Sequence, residues 1–502
     1  MSGRQLRSRL VRSLAAAAGF ATLAALAAAP NAVAAASAPA DGPLLSYVVN
    51  IRPGHGTSAS VQREIAGAGG SVVAAYDRIG VIVAHSTNPD FGPAIRSARG
   101  VQSAGVTRTA PLAASATDET GTTQALTAAQ QARVAAGSTA AQEPLEPNQW
   151  DMRLIGADRA HAIDDGSRKV TVGVIDTGVD DTHPDLAPNF SPSQSANCVG
   201  GKADTSYGAW RPSEAAADHG THVAGTIAAA RNGIGVAGVA PGVRLAAIKV
   251  ADPGTQLFYT ESVVCAFVFA ADHGIDITNN SYYSDPWYMN CVTDADQKAL
   301  VDSITRAIRY ARDKGVTSVA SAHNFNDDLA SDSVVDTSSP DDGTPVDRTV
   351  DPSQCPIAPE MLPGIVTVSS VGVTKEKAFY SNYGNGVIDV AGPGGDSLRP
   401  ADTPDRNGRV LSTLPGGGWG YKQGTSMAAP HVTGVLALLK SEHPRATPGQ
   451  LEALLKAQAD AHACPASYDG DGDGVVDAVC EGGAQHNGFY GYGIVDALRA
   501  VK

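Results

Sequence analysis

Regular patterns of apolar and polar positions begin at residue 44, and the first group of them covers residues 44–114. Three segments there have the pattern of strands and one has the pattern of a helix: Leu44–Val49, Ser71–Tyr76, Gly80–His85 and, for the helix, Val61–Gly69. Together they predict a small α+β domain over residues 44–114. The next segment, Ser115–Glu146, is rich in Ala, Thr, Ser, Gln and Gly, and we expect a flexible linker that is open to proteolysis.

From residue 149 to the end, apolar strand patterns alternate with helical patterns. Strands are expected at Lys169–Asp176, Arg244–Val250, Ile275–Asn279, Thr317–Ala320, Ile365–Val371 and Val387–Ala391. Helices are clearest at Lys298–Lys314 and at Leu451–Asp460, which follows a Thr-Pro-Gly-Gln capping pattern. Because apolar strands that alternate with helices form covered parallel sheets, we expect residues 149–502 to be a mostly parallel, doubly wound α/β domain with helices on both faces.

The charge of the chain changes the range of expected partners. Its 502 residues include 51 acidic and 37 basic side chains, which gives a net charge of -14. Such an acidic surface repels phosphate backbones, so we expect no nucleic-acid binding.

The first 34 residues have the features of a secretory signal peptide. Four arginines precede the uncharged stretch Leu14–Ala29, and the small residues Ala32–Ala34 provide a cleavage site. The apolar stretch is short for a membrane span, and an uncleaved anchor is the alternative. The sequence therefore predicts a secreted, extracellular protein that leaves the membrane when the signal is removed.

Six cysteines in an exported chain favour disulfide bonds over free thiols. We expect a bond between Cys291 and Cys355, across a long loop, and one between Cys464 and Cys480, across a short one. Cys198 and Cys265 remain. Cys265 lies in an apolar helical pattern, so a buried free thiol is the alternative there.

Three segments combine residue types that suit nucleophilic catalysis. They are Val174–Asp180, with Asp176 at the end of a strand; Asp218–Thr226, with His219 and His222 at the start of a helix; and Gln423–Gly434, with Ser426 where a loop enters a helix. Carboxyl ends of parallel strands form a ligand crevice, and the N–H groups at a helix start suit a developing oxyanion. Each segment alone has a plainer explanation: a turn-forming Asp, a zinc-binding His pair, or an N-cap Ser.

The order Asp176, His219, Ser426 is the order found in subtilisin. Over about residues 149–500, the three segments resemble the signature motifs of the subtilisin-like serine peptidases (subtilases). The resemblance implies a subtilisin-like fold in which Ser426 attacks the scissile carbonyl, His219 accepts and returns its proton, and Asp176 orients His219. It implies no catalytic role for His222.

A fourth segment resembles the family's oxyanion block. The family has Ala-Ala-Gly-Asn, and this chain has Ser321-Ala322-His323-Asn324. The resemblance makes Asn324 the candidate oxyanion-hole donor. His323 stands where the family usually has Gly, and a bulky side chain there would shift the amide or add a titrating neighbour.

A fifth segment resembles the wall of the family's main specificity pocket. The family usually has Ser-Leu-Gly-Gly, whereas this chain has Ser281, Tyr282 and Tyr283 followed by another Ser. Losing both Gly leaves less room for the substrate backbone, and the resemblance places the opposite wall near Asp252–Phe258. The alternative is that the two tyrosines pack in the core.

Two segments suggest structural calcium, and the chemistry itself requires no cofactor. Asp185 and Asn232, with the loop Ala230–Val236, resemble a family calcium site of side-chain and carbonyl oxygens. A second candidate resembles the start of an EF-hand loop, with four acids: Asp469, Asp471, Asp473 and Asp477. Cys480 replaces the bidentate Glu of that loop, so a solvated acidic turn is the alternative.

Residues 44–114 resemble the inhibitory propeptide of secreted subtilases, with a permanent accessory domain as the alternative. The resemblance implies a monomeric, secreted serine endopeptidase that acts on polypeptides, processes its own precursor, and is inhibited by its own propeptide until that is degraded. Two rival functions remain: a catalytically impaired binding protein on the same fold, and a peptide ligase or cyclase in which an amine outcompetes water.

Overall fold

The computed structural model describes residues 42–111, 123–135 and 142–502, so the predicted signal peptide lies outside the described residues. Residues 42–107, the N-terminal subdomain, form an antiparallel sheet of order β2-β3-β1-β4 with two helices. The elements are β1 (Leu45–Ile51), α1 (His55–Gly67), β2 (Gly70–Tyr76), β3 (Val81–Ser86), α2 (Phe91–Arg96) and β4 (Val101–Val106). The α+β class was predicted. The short α2 and the Gly-containing β4 were not, because neither shows a clear period.

Residues 123–135 belong to the folded body, so the expectation of an exposed linker is wrong for this part. The two elements are β5 (Gln124–Ala125) and α3 (Ala128–Ala135). β5 extends a sheet by pairing with the strand Gly418–Lys422. Leu126 and Val134 are buried in a small cluster that includes Trp419. Few apolar residues in an Ala-rich segment suffice to fill this cluster, which is why the sequence showed no core pattern.

Seven parallel strands form the central sheet, in the order β14-β13-β10-β9-β6-β8-β7. They are β6 (Thr171–Asp176), β7 (Ala196–Asn197), β8 (Arg244–Lys249), β9 (Ile277–Asn280), β10 (Thr317–Ser321), β13 (Ile365–Val371) and β14 (Val390–Pro393). The smaller strands are β11 (Val334–Asp336), β12 (Arg348–Val350), β15 (Val410–Leu414), β16 (Gly418–Lys422), β17 (Gly482–Gly483) and β18 (His486–Asn487). The six strands expected in this sheet are present within a few residues, and only the two-residue β7 was missed.

Helices cover both faces of the central sheet, which confirms the doubly wound α/β fold. They are α4 (Trp150–Leu154), α5 (Ala157–Ala160), α6 (His219–Ala228), α7 (Thr260–Asp272), α8 (Ala295–Asp313), α9 (Thr425–Glu442), α10 (Pro448–Gln458) and α11 (Ala497–Ala500). Successive strand residues face opposite sides. Val174 therefore joins the core around α6 and α9, and Ile175 joins the core around α7 and α8. None of the helices in the described ranges is long and apolar enough to cross a membrane.

The N-terminal subdomain packs through its sheet on α7 and α8. Asn50 on β1 donates to Ala299 O at 2.9 Å, and Val106 N at the end of β4 donates to Asp296 Oδ1 at 3.1 Å. Gly105 permits this approach, since a Cβ there would lie 2.4 Å from Asp296 O. The subdomain is thus held against the α/β domain by these hydrogen bonds and by the close approach of Gly105 to the backbone of Asp296.

All six cysteines are paired. The bonds are Cys198–Cys265, Cys291–Cys355 and Cys464–Cys480. The pairs favoured by the sequence are therefore formed, and Cys265 is bonded instead of being a buried free thiol.

Candidate active site

Asp176 and His219 meet at the carboxyl edge of the central sheet. Asp176 is the buried last residue of β6, and His219 is the first residue of α6. His219 Nδ1 lies 2.8 Å from Asp176 Oδ1 and 3.0 Å from Oδ2. Thr177 N also donates to Oδ1, at 2.7 Å. A carboxylate in this position keeps the proton on Nδ1, so that Nε2 is the basic nitrogen.

Gly220 makes this contact possible. A Cβ at Gly220 would lie 2.4 Å from Gly178 O and 3.0 Å from the side chain of Asp176. Any side chain here would push the start of α6 away from β6. The glycine that follows His219 in the motif is therefore required for the short Asp176–His219 distance.

Ser426 is the second residue of α9 and lies one strand away from Asp176. β9 runs beside β6 with Asn280 opposite Ile175, so Ser281 follows opposite Asp176. Ser426 Oγ donates to Ser281 O at 3.3 Å, and Ser281 Oγ donates to Ser426 O at 3.0 Å. These bonds fix the start of α9 at the same sheet edge as Asp176.

His219 and Ser426 form no mutual hydrogen bond in this structure. Within the described residues, His219 Nε2 is buried and has no hydrogen-bond partner, and Ser426 Oγ is bonded to the Ser281 carbonyl. Such nucleophile–base contacts are often long before substrate binds. The structure therefore joins the acid to the imidazole and leaves the basic nitrogen available.

Asn324 lies beside the residues that precede Ser426. Its Oδ1 accepts hydrogen bonds from Thr425 N at 2.9 Å and from Thr425 Oγ1 at 3.0 Å. Its Nδ2 lies against Gly424, where a Cβ would be 3.5 Å away. Gly424 has φ 148°, a conformation that favours glycine. The amide of Asn324 is thus fixed next to the start of α9.

His323 occupies a backbone conformation that normally favours glycine, with φ 71°. Its ring is buried, with its centroid 5.2 Å from that of Tyr283, and its Nε2 lies 2.8 Å from Glu360 Oε1. Burial raises the pKa of the Glu360 carboxyl, because its effect is larger than the opposing effect of the nearby His323. A buried imidazole–carboxylate pair thus accommodates the bulky residue, while Asn324 keeps its anchor.

The three residues expected in the specificity pocket have different environments. Ser281 contacts Ser426 directly. The Tyr282 ring stacks on Phe258 with centroids 4.8 Å apart, and Tyr283 Oη donates to Asp341 Oδ2 at 2.7 Å. Both tyrosines are only 3% exposed. The structure therefore brings Ser281 to Ser426 and buries both tyrosine side chains, as core packing requires.

Comparison with known proteins agrees with these motifs. The profile of the subtilase family matches residues 167–493, which is well over half of the chain. This chain belongs to the subtilase family.

Two similar proteins are subtilases with established names. Fervidolysin from Fervidobacterium pennivorans is 31% identical over 332 residues, which are 62% of this chain and 40% of fervidolysin. Subtilisin NAT from Bacillus subtilis subsp. natto is 30% identical over 294 residues, which are 58% of this chain and 60% of that protein. The chain therefore matches roughly half the length of these relatives.

Solved structures show the same fold. The epidermin leader peptide processing serine protease (EpiP) from Staphylococcus aureus has a TM-score of 0.66 at 21% identity and covers 92% of this chain and 98% of that chain. The crystal structure of fervidolysin has a TM-score of 0.59 at 22% identity and covers 92% of this chain and 62% of that chain. At these identities the likeness concerns the subtilase fold alone.

His222 has a structural environment in this subtilase. It is fully buried, and its Nε2 lies 3.2 Å from both Val410 O and Gly420 O. Burial holds the pKa of His222 well below its usual range, which disfavours the charged ring. Across the described ranges, no third His, Cys, Asp or Glu joins His219 and His222 in a metal-binding group. The zinc alternative is therefore without support.

Asp185 and the loop Ala230–Val236 come together as the sequence suggested. Asp185 is fully buried, and its Oδ2 accepts from Val236 N at 3.0 Å and from Trp419 Nε1 at 2.8 Å. Its Oδ1 has no hydrogen-bond partner among the described residues. Burial raises the pKa of Asp185 to about 7. Asn232 Oδ1 accepts from Ile234 N at 3.2 Å, within its own loop.

The structure adds Glu143 to this region, a residue that the sequence did not indicate. Its carboxylate accepts hydrogen bonds from the backbone of Gly233 and Ile234, and burial raises its pKa. Glu143 Oε2, like Asp185 Oδ1, is buried without a partner in the described part of the chain. Two carboxylates with unused oxygens beside one loop fit a hard cation such as Ca²⁺. No sequence feature pointed to Glu143, because it precedes the loop by many residues and matches no motif.

The second acidic loop brings together three of its four predicted residues. Asp469, Asp471 and Asp477 place carboxylate oxygens within 4.8 Å of one another, and Asp473 does not join them. Asp473 Oδ1 instead accepts from Val475 N at 2.8 Å. Cys480 is bonded to Cys464 and supplies no ligand.

Proposed function

We propose that this subtilase is a secreted serine endopeptidase, made as a precursor that cleaves itself. The observation that carries the proposal is the 2.8 Å contact between Asp176 and His219, one strand away from Ser426 at the sheet edge. Ser426 is the nucleophile, His219 the general base and acid, and Asp176 the group that orients His219 and stabilises its charged form.

The first half of the reaction forms an acyl-enzyme. His219 Nε2 takes the hydroxyl proton while Ser426 Oγ attacks the carbonyl carbon. The negative charge that develops on the carbonyl oxygen is stabilised by Asn324 Nδ2 and by the Ser426 N–H, because the first N–H groups of a helix have no intrahelical acceptor. His219 then gives the proton to the leaving amine as the C–N bond breaks.

The second half releases the acid product. A water molecule takes the place of the amine and gives its proton to His219 Nε2 while its oxygen attacks the acyl carbon. The ester bond breaks, and Ser426 recovers the proton from His219. Each step uses the same nitrogen, which accounts for the absence of any other partner of His219 Nε2 in the described residues.

Secretion and self-processing have separate support. The first 34 residues have the pattern of a cleaved signal, and three disulfides suit an oxidising compartment. The N-terminal subdomain packs on the catalytic domain, and the residues that follow it, Arg108 and Thr109, lie against Tyr259 and Asp342. We propose that it is the inhibitory propeptide and that the enzyme cuts the chain after it.

Calcium is proposed as a structural ion. Asp185, Glu143 and the carbonyls of the loop Ala230–Val236 would hold it. Its role would be to neutralise two buried carboxylates and to stiffen the loop. It supplies no step of the reaction.

The proposal is tested with three purified full-length proteins: wild type, Ser426→Ala and, as a control at the far end of α9, Ser441→Ala. We expect wild type and the control to react with a fluorophosphonate probe, to lose their N-terminal residues by intact mass, and to hydrolyse casein. Ser426→Ala is expected to do none of these. Normal maturation of Ser426→Ala would refute self-processing, and a wild type that stays unlabelled would favour a binding protein.

A further inference from the structure

Arg108 is held in a buried acidic and aromatic pocket of the catalytic domain. Thr107 N still donates to Ser46 O of the subdomain sheet, at 2.9 Å. The next side chain, that of Arg108, instead contacts the catalytic domain. Its Nη2 donates to Glu261 Oε1 at 2.8 Å, and its guanidinium carbon lies 3.8 Å from the centre of the Tyr259 ring. Arg108 is 4% exposed and Glu261 is 0% exposed. The chain therefore leaves its own subdomain with a fully buried cation.

This contact is more specific than a surface ion pair. Two charges removed from water lose their hydration, and only close geometry offsets that loss. Glu261 lies in the first turn of α7, where the helix dipole favours a negative charge. Glu261 Oε2 and Arg108 Nε are both buried without partners among the described residues. The carboxylate thus keeps an unused acceptor, and the pocket suits a guanidinium that can bond both oxygens.

The two residues after Arg108 are held through their backbone. Thr109 N and Ala110 N donate to Asp342 Oδ2, at 2.7 and 3.3 Å. Bound peptides also combine main-chain hydrogen bonds with a side chain in a pocket, and here a carboxylate takes the place of a strand edge as the acceptor. Residues 108–110 are therefore bound by the catalytic domain as a peptide ligand is bound.

The pocket is continuous with the active site. Asp341, next to Asp342, accepts from Tyr283 Oη, and Tyr283 belongs to the segment that begins at Ser281. Ser281 O accepts the hydroxyl of Ser426. On the other side, Tyr259 pairs with Asp285 of the same segment through a β-bridge. One wall thus runs from the nucleophile to the Arg108 pocket.

We propose that Tyr259 and Glu261 form an arginine-binding subsite of the substrate cleft. Arg108 fills it in the precursor, and an arginine of a polypeptide substrate fills it in the mature enzyme. The inference rests on the proposed function, since it requires that the N-terminal subdomain be cut off and leave. Because Arg108 precedes any bond whose cleavage removes that subdomain, the substrate arginine lies on the N-terminal side of the scissile bond.

Arginine fits the subsite better than lysine. Its planar guanidinium stacks on an aromatic ring and forms paired hydrogen bonds with a carboxylate, whereas an ammonium group does neither as well. A substrate that lacks the guanidinium loses both the stacking on Tyr259 and the paired hydrogen bonds with Glu261, so discrimination is expected to be at least about tenfold.

The first test uses the self-processed wild-type enzyme and needs no variant. Internally quenched peptides carry Arg, Lys or Gln at each position on either side of the cleaved bond, and kcat/KM is measured for each. We expect one position on the N-terminal side at which Arg exceeds Gln by at least about tenfold and also exceeds Lys. Equal rates for Arg and Gln at every position, or a preference confined to the C-terminal side, would overturn the subsite.

A second test assigns the preference to Glu261. In Glu261→Gln the Arg-to-Gln ratio is expected to fall to about threefold or less, while the exposed control Glu442→Gln keeps the wild-type ratio. If Glu261→Gln does not mature, the capped peptide Val-Thr-Arg-Thr-Ala is compared with Val-Thr-Gln-Thr-Ala as an inhibitor of the wild-type enzyme. We expect at least about tenfold tighter inhibition by the first peptide. Equal inhibition contradicts the proposal. An enzyme that hydrolyses casein without an arginine preference refutes the subsite alone, whereas one that neither hydrolyses casein nor binds fluorophosphonate refutes the proposed function.

Discussion

Two buried imidazole–carboxylate pairs lie on the helices that frame the active site, and they differ in what their second ring nitrogen does. In the first pair, His219 on α6 contacts Asp176 through Nδ1, and Nε2 has no partner among the described residues. In the second, His431 on α9 lies 2.9 Å from Asp151 Oδ2 through Nε2 and 2.7 Å from Met427 O through Nδ1. Both nitrogens of His431 are therefore occupied.

The difference separates a base from a structural cross-link. A short contact between a carboxylate and an imidazole is common to both pairs, so this contact alone does not identify a catalytic histidine. A proton can be exchanged with substrate only through a nitrogen that no other group holds. On this criterion His219 is fitted for proton transfer, and His431 is fitted to tie α9 to α4 at Asp151.

The largest effect is expected from removal of the free nitrogen. His219→Ala should lower kcat about 10⁶-fold, because no other group takes the proton of Ser426. His219→Ala also leaves the buried Asp176 carboxylate without its imidazole, so some loss of stability is expected, and the variant is assayed under conditions in which its unfolding curve shows it to be folded. The measurement is kcat on an internally quenched peptide with purified variant, beside the exposed control His443→Ala. A loss of less than about a hundredfold would remove His219 from the mechanism.

The opposite outcome is expected for the second pair. His431→Ala leaves the buried Asp151 carboxylate without a partner, and should lower the free energy of unfolding by about 3–5 kcal/mol. The change is measured by denaturant unfolding in the Ser426→Ala background, which prevents self-digestion. Replacing both partners, as Asp151→Leu with His431→Leu, should recover part of the loss, because no unpaired charge remains. If His431→Ala is as stable as its parent, the pair is not a cross-link.

Removal of the proposed oxyanion donor should have a smaller effect, again on kcat, as is expected for the first pair. Asn324→Ala removes the amide fixed beside Thr425 and should lower kcat by about 10²–10³, with KM nearly unchanged, since the bond forms only in the transition state. Steady-state kinetics on the same peptide separates the two constants. A rise in KM at constant kcat would show that Asn324 binds the ground state instead.

The sequence revealed the first pair and not the second for a physical reason. Asp176, His219 and Ser426 each lie in a contiguous motif whose neighbours, such as Gly220, are dictated by the local approach of helix and strand. The His431–Asp151 contact spans 280 residues and requires no special neighbour on either side. The partner of such a pair depends on the path of the whole chain, which a local pattern does not contain.

The same limit applies around the specificity segment. The sequence showed that two glycines are replaced by Tyr282 and Tyr283, but it did not show that both rings would be buried. Nor did it link His323 to Glu360, or Arg108 to Glu261, because these partners lie in different elements that only the tertiary fold brings together. Six strands of the central sheet and the helices α8 and α10 were predictable, since their apolar pattern is regular.

A third buried carboxylate, Asp185, can be compared with the two that contact histidines, and the smallest effect is expected from its replacement. Asp185 is as buried as Asp176 and Asp151, yet the hydrogen bonds that it accepts come from neutral donors, which include Val236 N and Trp419 Nε1. Burial raises its pKa to about 7, above the value of the unfolded chain. In EDTA, the Ser426→Ala protein should therefore lose stability in denaturant unfolding as the pH rises toward 7, because the native state must give up a proton that the unfolded chain has already lost.

Calcium should take the place that imidazole has in the other two pairs. In the Ser426→Ala background at pH 8, calcium at a hundred times its dissociation constant should raise the free energy of unfolding by about 2.7 kcal/mol, measured by denaturant unfolding with and without EDTA. Asp185→Asn should abolish this gain and, in EDTA, should be more stable than its parent, since the amide keeps both donors without a buried charge. Asp473→Asn, outside both groups of converging carboxylates, should keep the full calcium effect. A calcium effect that survives Asp185→Asn would show that the ion binds elsewhere, and that Asp185 is held by its neutral donors alone.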